Sequence, residues 1–129
     1  MKLPHGAEER GRATHLQRGA QAEHLAARFL QKQGLKLLQQ NYRCKHGEID
    51  LILQDATTLV FVEVRLRNLD NFGGAAASIT HAKQGRLIRA AQNYLAGLTH
   101  IPDCRFDAVL YEKLDGSNPE WLKNAFSAE

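Results

Sequence analysis

Between residues 46 and 68 the chain reads HGEIDLILQDATTLVFVEVRLRN, two aliphatic and aromatic runs joined by a short polar link. Runs of this kind, rich in Ile, Val, Leu and Phe and bounded by turn-forming residues, are strands. Joined so closely, they must lie side by side as an antiparallel hairpin. With DATT as the loop, Gln54 pairs with Leu59, and closing the loop more tightly at Ala56 and Thr57 leaves that register unchanged. Asp50 then lies opposite Glu63 and Glu48 opposite Arg65, with facing Cβ atoms about 5 Å apart.

One face of this hairpin, made of Ile49, Leu51, Leu53, Val60, Val62, Val64 and Leu66, is wholly apolar and must be buried. The acidic face also carries Ile52, Leu59 and Phe61, so both faces are predicted to be covered, with the charges gathered toward one end of the strands. Opposed like charges destabilise a sheet, and a partly buried carboxylate needs a partner or a shifted pKa. A cation is therefore expected between them. Two arrangements satisfy this. Asp50 and Glu63 can act as hard oxygen ligands for a divalent ion such as Mg²⁺ or Mn²⁺. Alternatively, the acids belong to a structural ion-pair cluster with Arg65 and Arg67.

The flanking pattern extends the hairpin into one domain, which is what 129 residues with 43% hydrophobic content can pack. Residues 1–18 are polar and without apolar periodicity, and read as a flexible basic tail carrying Lys2, Arg10, Arg12 and Arg18. From Gly19 the spacing of Ala22, Leu25, Ala26, Phe29 and Leu30 predicts an amphipathic helix that Gly34 ends. LKLLQQNYRC precedes the hairpin as a strand. After the loop NLDNFGGAAAS, Gln84, Leu87, Ile88, Ala91, Tyr94, Leu95 and Leu98 predict a second helix over 80–98, capped by Ser78 or Thr80. CRFDAVLYE is a further strand, and WLKNAF a short helical or irregular end whose Trp121 packs on the body. The order is αβββαβ, an α/β fold occupying residues 19–129.

Composition narrows the function classes only modestly. No apolar run approaches a membrane span and the start of the chain lacks a signal-peptide pattern, so a soluble cytoplasmic protein is expected. Cys44 and Cys104 form no CxxC pair, and His5, His15, His24, His81 and His100 have no metal-ligand spacing. The net charge of +3 permits a polyanionic partner without requiring one. Arg43, Lys45 and His46 before the hairpin, with Arg67, Lys83, Arg86 and Arg89 in or after it, are distributed as phosphate-tracking residues would be, although ordinary surface charge explains each alone. Gln84 either points its amide into the acidic site or satisfies it on backbone.

GEID followed by EVR also carries a resemblance. With GAQAEHLAARFL, NYRCKHGEIDLI, LVFVEVRLR, FGGAAASITHAKQGRLIRAAQNYL and CRFDAVLY in order, the chain resembles the YraN-type family of bacterial endonuclease-like proteins. That family falls within the PD-(D/E)xK nuclease superfamily, where archaeal Holliday-junction resolvases are similar members. The resemblance implies a restriction-endonuclease-like core with a mixed central sheet flanked by helices, and hydrolysis of DNA phosphodiester bonds on branched or flapped structures, with Mg²⁺ or Mn²⁺ as cofactor. It makes Asp50 and Glu63 the metal-binding acids, Glu23 the acid of the first helix, and Arg65 the occupant of a position usually held by lysine. A guanidinium stays protonated and cannot serve as a base. The proline that normally precedes the aspartate is replaced by Ile49. The expected partner is nucleic acid, DNA above all, with a homodimer admissible and no membrane. A binding domain without turnover and a protein-interaction module with a structural acidic cluster are the alternative functions.

Overall fold

The computed structural model describes residues 6–66 and 79–128, with side chains from residue 17 onward. Arg67 and the FGGAAAS loop lie outside them. The elements are α1 (Gly6–Lys32), β1 (Lys36–Cys44), β2 (Gly47–Asp55), β3 (Thr58–Leu66), α2 (His81–Leu95), β4 (Cys104–Tyr111) and β5 (Glu120–Phe126). The sheet runs in the order β1-β2-β3-β4-β5. Only β3 and β4 pair in parallel, and α2 makes the crossover that such a pair needs. The αβββαβ order read from the sequence is therefore present in a mixed sheet, extended by one strand.

Two boundaries differ from expectation. The first helix begins at Gly6 rather than Gly19. The sequence of its early turns lacks an apolar stripe, but Ala7, Glu8, Glu9, Arg10, Arg12 and Ala13 are strong helix formers, so intrinsic propensity favours the helix there. The second correction concerns WLKNAF, which forms β5 rather than a helical or irregular end. It pairs antiparallel with β4, Trp121 opposite Val109 and Leu122 opposite Ala108. A strand containing Lys123 and Asn124 has little intrinsic preference for a sheet. Buried Asp107 of β4 supplies the missing reason, accepting hydrogen bonds from Trp121 Nε1 and Asn124 N at 3.0 Å each.

The hairpin register is the expected one, with Gln54 on Leu59 and Leu51 on Val62. Asp55 pairs with Thr58, so the turn is the tighter two-residue form, with Ala56 at φ 54°. At the end of α1, Gly34 adopts φ 100° while Leu35 N donates to Leu30 O at 3.1 Å, the left-handed closure that glycine allows.

Each helix covers one face of the sheet. Under α1, Ala22, Ala26 and Leu30 pack on Leu51, Leu53, Val60, Val62 and Val64, with Trp121 edge-on to Phe29. Under α2, Leu87, Ala90 and Ala91 pack on Ile52, Leu59, Phe61 and Phe106. Burying each leucine or phenylalanine here contributes roughly 1.5–3 kcal/mol. Ile49, expected with Leu51 and Leu53, instead joins the α2 cluster. The strict alternation of β2 thus breaks at Asp50. Asn41 of β1, between the paired residues Gln40 and Tyr42, adopts φ 53°.

Both edges of the sheet are irregular. β1 shifts register between Leu37 and Gln39. The β4–β5 ladder shifts between Phe106 and Ala108, and Asn124 of β5 has φ 53°. Cys44 and Cys104 are free thiols. Among the described residues, no helix is long and apolar enough to cross a membrane.

Candidate functional site: an acidic cleft between the two helices

The β2–β3 ladder ends at Leu51 and Val62, and the acids begin where it stops. Asp50 Oδ2 accepts the backbone N–H of Val64 at 2.8 Å, so a side chain takes the donor left over as the strands part. Glu63, across from Asp50, is equally buried, with relative exposures of 6% and 7%. Alternation with Phe61 directs Glu63 toward α2. Glu23, on α1, lies within hydrogen-bond reach of both Asp50 and Asn41. The break in β2 therefore places Asp50 between an acid from α1 and an acid on β3.

The cations are distributed unevenly. Glu48 is bonded by Arg43 Nε at 3.0 Å, both side chains being largely exposed. The pairing of Glu48 with Arg65 considered from sequence gives way to this one, because Arg43 lies directly opposite Glu48 on β1. Arg65 Nε lies 3.5 Å and Lys83 Nζ 3.1 Å from Glu63 Oε1. Among the described residues, no cation forms an ion pair with Asp50. Burial, followed by the negative charge of Glu63, pushes the Asp50 carboxyl up from 3.8 to about 8, with Glu23 and Glu48 adding to the rise against the bond from Val64. Glu23 is also raised, first by burial and then by Glu48, while its bonds to Asn41 and Asp50 work in the opposite direction.

Gly47, Asp50, Glu63, Lys83 and Arg86 line a cleft of about 250 Å³ beside this cluster. Gly47 has φ 149°, a backbone conformation that favours glycine, and a Cβ there would make only ordinary contact with the Arg86 side chain at 3.6 Å, which sets the β1–β2 turn beside α2. A larger cavity of about 450 Å³ lies at the β4–β5 connection, bordered by Tyr111, Lys113, Asp115 and Glu120. There Asp115 is fully exposed and lowered by hydrogen bonds from Ser117, and Tyr111 is raised by burial alone; neither is set against like charge as Asp50 is, so the smaller cleft is the chemically active candidate.

Of the residues singled out from sequence, Glu23, Asp50, Glu63 and Arg65 come together. Arg43 is occupied by Glu48, and Lys45 is exposed at the β1–β2 turn. Gln84 donates Nε2 to Ile79 O at 3.0 Å, the backbone alternative. Arg67 is outside the described residues. Lys83, read from sequence only as a phosphate-tracking residue, bonds Glu63. Asn41 gave no signal, because its role depends on the positive-φ interruption it makes within β1, beside Glu23.

The donors test well against a hard divalent cation in kind, being buried carboxylate oxygens whose charge the neighbouring cations leave unbalanced at Asp50. In arrangement they are less complete. Among the described residues, no group of three or more His, Cys, Asp or Glu side chains is drawn together as a ready ligand set.

Residues 22–111 match the uncharacterised protein family UPF0102. The chain belongs to that family. A UPF0102 protein of Nitrosomonas europaea is 59% identical over 109 residues, covering 84% of this chain and 92% of its own length. A UPF0102 protein of Janthinobacterium sp. (strain Marseille) is 52% identical over 128 residues, 99% of this chain and 100% of the relative. Another, from Nitrosospira multiformis, is 54% identical over 109 residues, or 84% and 92% of the two chains. The UPF0102 match takes in α1 from Ala22 onward, both arms of the hairpin, α2 and β4, and so Glu23 and every residue lining the cleft.

Proposed function

We propose that this UPF0102 protein is a metal-dependent endonuclease that hydrolyses DNA phosphodiester bonds, with branched or flapped DNA as its substrate class. The observation that carries the reading is Asp50, a buried carboxyl held at the mouth of a cleft beside two other acids and pushed up to about 8. So much unbalanced acid is costly for a fold and useful for binding a divalent cation. The resemblance to PD-(D/E)xK nucleases supports the same choice and supplies DNA as substrate class. Asp50 and Glu63 would hold Mg²⁺ or Mn²⁺, which when bound supplies Lewis acidity at the scissile phosphate and lowers the pKa of an attacking water. Glu23 shares charge with Asp50 from the α1 side. Arg65, a permanent cation, steadies Glu63. Among the described residues, Lys45, Lys83 and Arg86 are the cations available to the phosphate backbone.

A second reading, a DNA-binding domain that has the fold but little turnover, is favoured by the incomplete ligand set and by the two cations already on Glu63. One experiment separates the two. Mg²⁺ and Mn²⁺ are titrated against linear, flapped and four-way DNA, with binding and cleavage both followed, for the wild type and Asp50→Asn. The enzyme reading expects metal-dependent cleavage that Asp50→Asn lowers by at least about 100-fold, together with weaker metal binding by calorimetry. DNA binding without cleavage at any metal concentration would establish the second reading.

A further inference from the structure

Two cations meet one acid in this cleft, and they are not equivalent. Arg65 reaches Glu63 from two residues along the same strand, and it does not line the cleft. Lys83 reaches the same oxygen from α2, across the cleft, and lines it together with Asp50 and Arg86. The turn carrying Lys83 is firmly anchored. Thr80 Oγ1 accepts the Lys83 N–H at 3.2 Å, Thr80 O accepts Gln84 N at 2.9 Å, and Ile79 O accepts Gln84 Nε2 at 3.0 Å. From that base the flexible four-carbon stem carries a compact ammonium, which keeps two further donors after bonding Glu63.

Helix electrostatics sharpen the contrast. The first turn of α2 contains no acidic residue, and Lys83 sits where the positive end of the helix dipole disfavours a cation. A lysine in that turn runs against local preference, and the acid it meets is on a different element. Such conflicts between local rule and placement concentrate at functional positions.

We propose that Lys83, rather than Arg65, is the cation this site presents to a bound phosphodiester, with Arg65 a positioning residue that holds Glu63. The inference rests on the endonuclease reading and adds to it the group that faces the substrate. In the free protein Lys83 neutralises Glu63, and a phosphate oxygen entering the cleft meets its remaining N–H donors. Lys83 therefore also competes with any divalent cation for Glu63.

The test compares wild type, Lys83→Gln and Arg65→Gln by single-turnover cleavage of the same DNA panel, Mn²⁺ affinity by calorimetry, and melting temperature. Lys83→Gln is expected to lower cleavage about 100-fold, as loss of a charge-stabilising donor does, while binding Mn²⁺ more tightly because a positive charge beside Glu63 is gone. Arg65→Gln should lose less cleavage and more thermal stability. A larger cleavage loss in Arg65→Gln than in Lys83→Gln, or unchanged Mn²⁺ affinity in Lys83→Gln, overturns the proposal. If the wild type cleaves none of the substrates, the endonuclease reading falls by itself. The Mn²⁺ comparison then decides the assignment of Lys83: tighter binding upholds it as the exchangeable cation of Glu63, and unchanged binding removes it.

Discussion

Asp50 and Asp107 are both buried aspartates on neighbouring parts of one sheet, and they are answered in opposite ways. Asp107 is fully buried and accepts Arg105 Nε at 3.1 and 3.2 Å, Trp121 Nε1 at 3.0 Å and Asn124 N at 3.0 Å. Arg105 is itself shared with Asp55 at 3.0 Å. Asp50 has a backbone N–H and the company of other acids. A buried charge surrounded by donors fastens elements together, here β5 onto β4. One surrounded by like charge is poised to take a cation from outside. The contrast separates the two acids more sharply than burial does, since both residues are nearly inaccessible.

The largest effect that tests this contrast is expected at the fastening acid. Asp107→Ala leaves Arg105 with Asp55 as its carboxylate partner but strips the acceptor from Arg105 Nε, Trp121 Nε1 and Asn124 N, at a cost of about 3–5 kcal/mol in urea unfolding. A loss below about 1 kcal/mol would mean that β5 is held by its apolar contacts alone.

At Asp50 the sign should reverse. Asp50→Asn keeps an oxygen for the Val64 N–H and removes the charge, so stability at pH 8 should rise by roughly 1 kcal/mol. The wild type should also show a pH slope. Below about pH 4 both folded and unfolded chains hold the Asp50 proton, whereas between there and about 8 only the folded chain does. Stability contributed by this group is therefore greatest in acid and is lost as pH rises across that window, levelling above it. Asp50→Asn should flatten the slope, and an equally steep melting-temperature profile in the variant would assign the titration to another group.

The smallest effect is expected at the rim. Arg43 and Glu48 pair with side chains 75% and 47% exposed, and Arg43→Ala should change stability by less than about 0.5 kcal/mol. A larger loss would extend the structural role of charge into the cleft itself.

What the sequence made legible follows from how local each determinant is. The hairpin register was readable because a two-residue turn and one pairing, Gln54 with Leu59, determine it. The meeting of Asp50 and Glu63 followed from that register, whereas Glu23 came from the family resemblance, since helix periodicity alone leaves a glutamate beside the apolar stripe free to face solvent. The same reasoning applied to FDAVLY would have flagged Asp107 as an acid inside an apolar strand, but nothing local distinguishes a fastened acid from a poised one. The donors that make the difference come from Arg105, Trp121 and Asn124. β5 was illegible for the same reason, since its pairing depends on an acid on another strand. Lys83 was visible as a charge but not as a partner, because the contact crosses from α2 to β3. The departure of Ile49 from its expected face reflects a break in β2 that strict alternation cannot represent.

The interruptions at the outer strands have a consequence of a different kind. A regular edge offers an unbroken row of free N–H and C=O groups on which another chain can template itself, and the first step toward fibrous assembly is such an addition. Here the register shift and the positive φ of Asn41 on one side, and of Asn124 on the other, break that row near its middle. At Asn124 the backbone N–H turns inward to Asp107 and is no longer offered to a newcomer. Local distortion thus leaves the sheet a poor seed for its own extension.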